Sequence, residues 1–116
     1  MFQITFSEHS LKELNKLDKA EQLSLIERLG ALTQSVLEKP DKHLGVFNRD
    51  KKTFYRLRIA DIRLYFELIE NILKVNYILP KDSWTDFAFR CKLPITEDSL
   101  IENKQSFWQY LDSLGS

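Results

Sequence analysis

Three arginines within a short stretch are the residues of this sequence best suited to chemistry. Arg56 and Arg58 are two residues apart, and Arg63 follows a little further along the chain. Because side chains of a β-strand alternate between its two faces, Arg56 and Arg58 share a face if this segment is a strand. A guanidinium group donates paired hydrogen bonds to phosphate oxygens. The spacing therefore predicts a cationic strand face that binds phosphate, with Lys81 after a later strand as a fourth contributor.

The turn between the two arginine-bearing runs sets their alignment. If residues 60–61 form a two-residue turn, Arg58 lies opposite Arg63 and Leu57 lies opposite Leu64. This register pairs apolar with apolar side chains, and a shift by one residue destroys it. Like charges directly opposite on a sheet cost up to about 1 kcal/mol, so the arginines need solvent, a counter-charge or a polyanionic ligand. An ordinary solvated sheet face is the alternative interpretation.

The charges of this chain are unevenly distributed. The protein has 17 basic and 17 acidic residues and no formal net charge, so its overall field does not favour nucleic acid. Between Arg49 and Arg63, however, six basic residues stand against two acidic ones. From Leu93 onward the balance reverses, with four acidic residues against Lys104.

The first half of the chain is expected to hold one strand and two helices. Residues 2–6 alternate apolar and polar side chains, which is typical of a half-buried strand. Ser7 is a suitable N-cap for a first helix, and Asp18 with Glu21 resembles a capping box that begins a second, longer helix. Pro40 prevents that helix from continuing. The second helix is expected to bury one stripe: Leu23, Ile26, Leu29, Leu32 and Val36.

The second half is expected to form a β-meander and a last helix. Residues 40–52 lack a sustained period and are interpreted as loop, and three alternating runs follow from Thr53. A final helix is predicted over 96–114, with its apolar stripe docked on another surface because an isolated helix of this length is marginal in water. The predicted fold class is α+β: an antiparallel αα-hairpin packed on a four-stranded, mainly antiparallel sheet, plus a C-terminal helix.

The length fits one domain with one core. Residues 1–92 are expected to form the main body and 93–116 a helical extension of it. The expected core consists of Leu14, Leu17, Leu29, Leu32, Leu57, Leu64, Phe66, Val75 and Tyr77.

Cysteine content and hydropathy limit the class of protein further. The one cysteine, Cys91, rules out an internal disulfide framework, and the sequence offers no ligand set for a structural zinc. No signal peptide pattern and no apolar run of about 20 residues is present. We therefore expect a cytoplasmic protein with no membrane partner, no metal and no cofactor.

The segment from Phe54 to Glu67, FYRLRIADIRLYFE, resembles the central motif of the RelE/ParE toxin superfamily, in which variants of YRLR-x-GDYR-x-YFE are typical. The resemblance extends over the order of strands and helices to about residue 90. It implies a toxin of a toxin–antitoxin system, neutralised by an antitoxin protein. It also implies a metal-independent endoribonuclease that cleaves messenger RNA, alone or on the ribosome, by attack of a ribose 2′-hydroxyl on the adjacent phosphate.

Carried over position by position, the resemblance assigns site residues. The basic residues matching the family's catalytic positions are Arg56, Arg58, Arg63 and Lys81. The residues expected to contact RNA are Lys51, Lys52, Tyr65 and Arg90. The sequence departs from the family pattern at Ala60, where the family has a turn glycine, and at Phe87, where it has a tyrosine. Two other functions are compatible with these residues: a non-catalytic module that binds RNA or an acidic protein, and a ParE-like inhibitor of DNA gyrase.

Overall fold

The computed structural model describes residues 2–41, 43–49, 51–80 and 105–114. Within these residues the elements follow in the order β1 (Gln3–Phe6), α1 (Glu8–Lys16), α2 (Lys19–Gly30), α3 (Gln34–Leu37), β2 (Leu44–Arg49), β3 (Lys52–Ile59), β4 (Ile62–Ile69), β5 (Ile72–Leu79) and α4 (Gln105–Leu114). The α+β class is confirmed. None of the described helices is long and apolar enough to cross a membrane.

Both predicted helix starts are confirmed. The Ser7 side chain accepts a hydrogen bond from the backbone N–H of Ser10 at 3.1 Å, which caps α1. Asp18 and Glu21 form a reciprocal capping box: the Asp18 carboxylate accepts from the Glu21 N–H at 2.8 Å, and the Glu21 carboxylate accepts from the Asp18 N–H. These caps satisfy backbone donors that the helices themselves leave without partners.

The second helix is shorter than predicted. It ends at Gly30 instead of continuing toward Pro40, and a separate four-residue helix begins after Thr33, whose hydroxyl accepts from the N–H of Val36 at 3.2 Å. The predicted αα-hairpin is therefore extended by a third short helix. Because Thr33 caps the start of the short helix, it favours a break between that helix and α2.

The stripe predicted for the second helix is also partly wrong. Leu23, Ile26 and Val36 are exposed, with 62% of the Leu23 surface accessible. The buried row consists of Leu25, Leu29, Leu32 and Leu37. Apolar residues on this segment form two overlapping rows, and packing against the sheet selects the row that contains Leu25.

The sheet has five strands in the order β1-β5-β4-β3-β2, not the four that the sequence predicts. Strand β1 pairs in parallel with β5, and the other neighbours are antiparallel. The additional strand is β2, which falls in the segment interpreted as loop. Its six residues contain a glycine and an asparagine that weaken the local strand signal, and the strand is defined by its pairing with β3.

The predicted register of β3 and β4 is confirmed. Arg58 pairs with Arg63, Leu57 with Leu64, and the turn consists of residues 60–61. The expected core is confirmed for most of its members, and these lie on the sheet face toward the helices. Leu17 is only partly buried at its margin.

A bulge in β5 reverses the facing predicted for the end of that strand. Tyr65 pairs with Tyr77 while Phe66 pairs with Val75, so Asn76 is an extra residue on β5. As a result Ile78 joins the helix-side core, whereas Tyr77 and Leu79 lie on the opposite face. The prediction that Tyr77 belongs to the same inward set as Val75 is therefore wrong.

The sheet carries a second, smaller core on the face away from α1 and α2. Tyr65 and Leu79 from the sheet pack there with Phe107, Trp108 and Leu111 of α4. The three α4 residues are buried, which confirms the predicted docking of the last helix for its described part. The predicted start of this helix lies outside the described residues.

The β3–β4 turn contains a strained backbone position that generates a prediction. Ala60 has φ 52°, in the left-handed region where a Cβ costs roughly 1–2 kcal/mol. We expect Ala60→Gly to raise the free energy of unfolding by about 0.5–1 kcal/mol, measured by urea denaturation, after allowing for the greater flexibility of glycine in the unfolded chain. Ala31→Gly is the control, because Ala31 has φ −83° and gains nothing from glycine. Equal losses of stability in the two variants would contradict the assignment of strain to Ala60.

Candidate nucleic-acid interface

The opposed pair Arg58 and Arg63 is the centre of the candidate interface. These residues are cross-strand partners on β3 and β4, on the sheet face away from α1 and α2. Arg58 is half-buried and Arg63 is 4% exposed. The acidic Glu67 lies four residues further along β4, about 13 Å away at strand spacing, and accepts a hydrogen bond from Asn76. Glu67 therefore lies toward the opposite end of β4 from Arg63.

Arg56 lies on the same face and is held in a niche above β2. It pairs with Gly45, and a Cβ placed on Gly45 would lie 3.0 Å from Nη2 of Arg56 and 3.0 Å from Cζ of Phe47. The backbone at Gly45 does not have a positive φ, so its conformation does not require glycine. Glycine is required here for space, because the guanidinium and the phenyl ring both lie over its Cα.

Helix α4 packs on the face that carries these arginines. The Tyr65 ring is fully buried, with centroids 5.4 Å from Phe107 and 6.0 Å from Trp108. Arg56, the cross-strand partner of Tyr65, is 5% exposed. Of the three predicted arginines, Arg58 is thus the most accessible to a phosphate in this arrangement.

The other predicted RNA-binding residues are not gathered at the same place. Lys51 and Lys52 are exposed at the β2–β3 turn, and Lys52 is six residues from Arg58 along β3, about 20 Å at strand spacing. They lie at the opposite end of the strand from the Arg58 and Arg63 pair. The predicted site residues Lys81 and Arg90, and also Phe87, lie outside the described residues.

Strand β2 contributes a neighbour that the sequence interpretation missed. Phe47 of β2 packs against Trp108 with ring centroids 5.8 Å apart, beside Phe54 of β3, whose ring centroid lies 5.6 Å from that of Trp108. The sequence signal for this strand is weak, because Gly45 lowers the strand propensity, although a glycine within a strand also permits the close approach of another group. The niche of Arg56 follows only once β2 is known to pair with β3.

The turn that leads into β2 is fixed by Asp41. Its carboxylate accepts hydrogen bonds from the backbone N–H groups of His43 at 2.7 Å and Leu44 at 2.9 Å. These backbone donors favour the charged form and hold the pKa of Asp41 below its usual value. The contribution of this turn is therefore present at neutral pH and is lost as the pH falls through the lowered pKa.

No protein-family model and no curated protein sequence matches this chain. Among solved structures, it is similar to a chain in the crystal structure of the archaeal RelE–RelB complex from Pyrococcus horikoshii OT3. The TM-score is 0.57, the sequences are 17% identical, and the likeness covers 69% of this chain and 94% of that chain. The chain has a RelE-like fold. At this identity the likeness shows the fold alone, and the RelE-like fold confirms the architecture that the Phe54 to Glu67 motif implies.

The niche at Gly45 generates a second prediction. We expect Gly45→Ala to lower the free energy of unfolding by roughly 1–2 kcal/mol, because the new methyl group displaces the Arg56 guanidinium and the Phe47 ring. In an Arg56→Ala background the cost of Gly45→Ala should fall, since one of the two crowding groups is gone. Urea denaturation of the unmodified protein, the two single variants and the double variant measures the coupling free energy between the two positions.

Gly30→Ala is the matched control for this cycle. A Cβ at Gly30 meets nothing within 4 Å, and alanine favours the helix that ends there. Additive effects of Gly45→Ala and Arg56→Ala would show that the two positions do not share space.

Proposed function

We propose that this protein is a RelE-like toxin that acts on RNA as a metal-independent endoribonuclease and is neutralised by an antitoxin protein. The opposed pair Arg58 and Arg63 within a RelE-like fold is the observation that carries the proposal. Two guanidinium groups placed opposite each other are suited to donate hydrogen bonds to the oxygens of one bound phosphate. In this proposal Arg56 and Lys81 complete the cationic cluster.

The proposed reaction uses these cations on a single phosphodiester. The ribose 2′-oxygen forms a bond to phosphorus and the bond to the 5′-oxygen breaks, which leaves a 2′,3′-cyclic phosphate and a 5′-hydroxyl end. The proton of the 2′-hydroxyl is lost to a base or to water, and the leaving 5′-oxygen takes up one proton. Arginines beside the phosphate stabilise the negative charge that builds up in the pentavalent transition state. No metal or cofactor is needed for this step.

A protein partner is proposed from the similar solved structure, which is a complex of RelE with RelB. By analogy with that complex, we propose that an antitoxin binds this chain and blocks its action on RNA. Co-expression with the product of a neighbouring small open reading frame tests this part, with rescue of growth as the expected result.

A non-catalytic RNA-binding module is the second candidate. It is favoured by the burial of Arg56 and Arg63, which are 5% and 4% exposed, because cleavage requires several cations at one phosphate whereas binding requires only the more accessible Arg58. The two candidates differ in one measurement: a binding module retains RNA without cleaving it, with or without ribosomes.

We expect Arg58→Ala to weaken binding of a short single-stranded RNA roughly tenfold and to reduce growth inhibition, because it removes a charge-assisted contact to phosphate. Binding of the RNA should also release about one fewer counterion, which makes the affinity less dependent on salt concentration. Fluorescence anisotropy over a salt series measures both, and gel assays with and without ribosomes follow cleavage.

Arg28→Ala is the matched control, since Arg28 is an exposed arginine on α2, away from the candidate face. It makes the same charge change and should leave binding and growth inhibition unaltered. If Arg56→Ala, Arg58→Ala and Arg63→Ala combined behave like the unmodified protein in growth, cleavage and binding, the arginines have no role in function.

A further inference from the structure

The sheet face beneath α4 has the composition of a surface for single-stranded RNA. Arg56 and Arg63 alternate along β3 and β4 with Phe54 and Tyr65, and Tyr77 lies beside them on β5. Surfaces that bind single-stranded nucleic acid combine cations for the phosphates with aromatic rings on which the bases stack. This face offers both within one layer of side chains.

Aromatic rings of α4 occupy this surface in the structure. Trp108 contacts the rings of Phe47, Phe54 and Tyr65 at centroid distances of 5.8, 5.6 and 6.0 Å, and Phe107 contacts Tyr65 at 5.4 Å. The rings of α4 therefore lie against the side chains on which bases would stack. A base and an α4 ring cannot occupy that space together.

Helix α4 also makes a polar contact with this face. The Asp112 carboxylate accepts a hydrogen bond from the Tyr77 hydroxyl at 3.3 Å. Aromatic rings and one carboxylate of α4 therefore contact the face to which RNA would bind.

We propose that α4 is a built-in competitor of single-stranded RNA for this face, so that the bases of RNA reach Phe54 and Tyr65 only when α4 leaves. The inference rests on the proposed function, because it names the substrate class and the regulation of the same site. Arg58, which is half-buried, provides the first contact while α4 is still in place. The apparent RNA affinity is then reduced by the fraction of molecules in which α4 is docked.

Release of α4 is compatible with an intact sheet. The described part of the helix has ten residues, and isolated helices shorter than about 12–15 residues are marginal in water, so packing on the face contributes to its order. The other face of the sheet is covered separately by α1, α2 and α3 through the larger core. Loss of the α4 contacts therefore leaves the main core in place.

The test uses full-length protein and weakens the docking of α4 at one residue. Leu111 lies on α4 and is fully buried against the sheet, and Leu111→Ala removes packing there without changing charge. Leu29→Ala is the matched control, since it makes the same truncation at a buried position of the larger core on the other face. We expect Leu111→Ala to bind a fluorescently labelled single-stranded RNA roughly tenfold more tightly than the unmodified protein. Leu29→Ala should bind the RNA no more tightly than the unmodified protein.

A second measurement needs no substitution. Hydrogen exchange of the unmodified protein is followed with and without saturating single-stranded RNA, and the amides of α4 should exchange faster when RNA is bound. An RNA duplex of the same base sequence should bind more weakly than the single strand, since paired bases are not free to stack on the face. Exchange also verifies that β3 and β4 remain protected in Leu111→Ala.

The outcomes separate this inference from the proposed function. If RNA binds equally to the unmodified protein and to Leu111→Ala, and α4 keeps its protection when RNA is added, competition is overturned while RNA binding stands. Equal affinity for the duplex overturns the assignment to single strands. If neither protein binds RNA, both the proposed function and the competition are overturned.

Discussion

The pairing of Leu57 with Leu64 across the β3–β4 hairpin fixes the positions of Arg56, Arg58 and Arg63 on the sheet. Both leucines are buried against the helices, so a shift of the register by one residue would turn apolar side chains toward the opposite face and charged side chains into the core. The same register that buries the leucines places Arg58 opposite Arg63. The placement of that arginine pair is therefore a consequence of the apolar pairing on the other side of the strands.

Strand β4 shows how the two faces of the sheet are connected. Tyr65 and Phe66 are neighbours in the chain, are both fully buried, and belong to different cores. The bulge at Asn76 accommodates this arrangement, since it sends Val75 to the helix side and Tyr77 to the side of α4. One additional residue in β5 thus supplies the second core with an aromatic side chain that a regular strand would have directed elsewhere.

The second core places aromatic packing next to arginines of low exposure. Burial of a guanidinium is costly unless its donors are satisfied, so the arrangement around Arg56 and Arg63 is favourable only if their surroundings compensate the charge. The niche over Gly45 contributes to this by giving the Arg56 guanidinium a defined position across β2. Removal of α4 would exchange the packing of its aromatic rings for water, whereas RNA would exchange it for stacking and phosphate contacts. In the proposed competition, α4 and RNA would therefore bind the same surface.

The sequence by itself determined the α+β class, the two helix caps, the β3–β4 register and the face shared by Arg56, Arg58 and Arg63. Each of these depends on contacts between residues close in the chain: a cap within one turn of a helix, or a hairpin whose two strands are joined by two residues. The fifth strand, the end of α2 at Gly30, the row of α2 that is buried and the facing of Tyr77 were decided by the tertiary structure. In each of these cases the local pattern was compatible with two arrangements, and pairing or packing with a distant element selected one of them. The contact of α4 with the arginine face belongs to the same group, because amphipathic periodicity predicts that a helix docks but not which surface it covers.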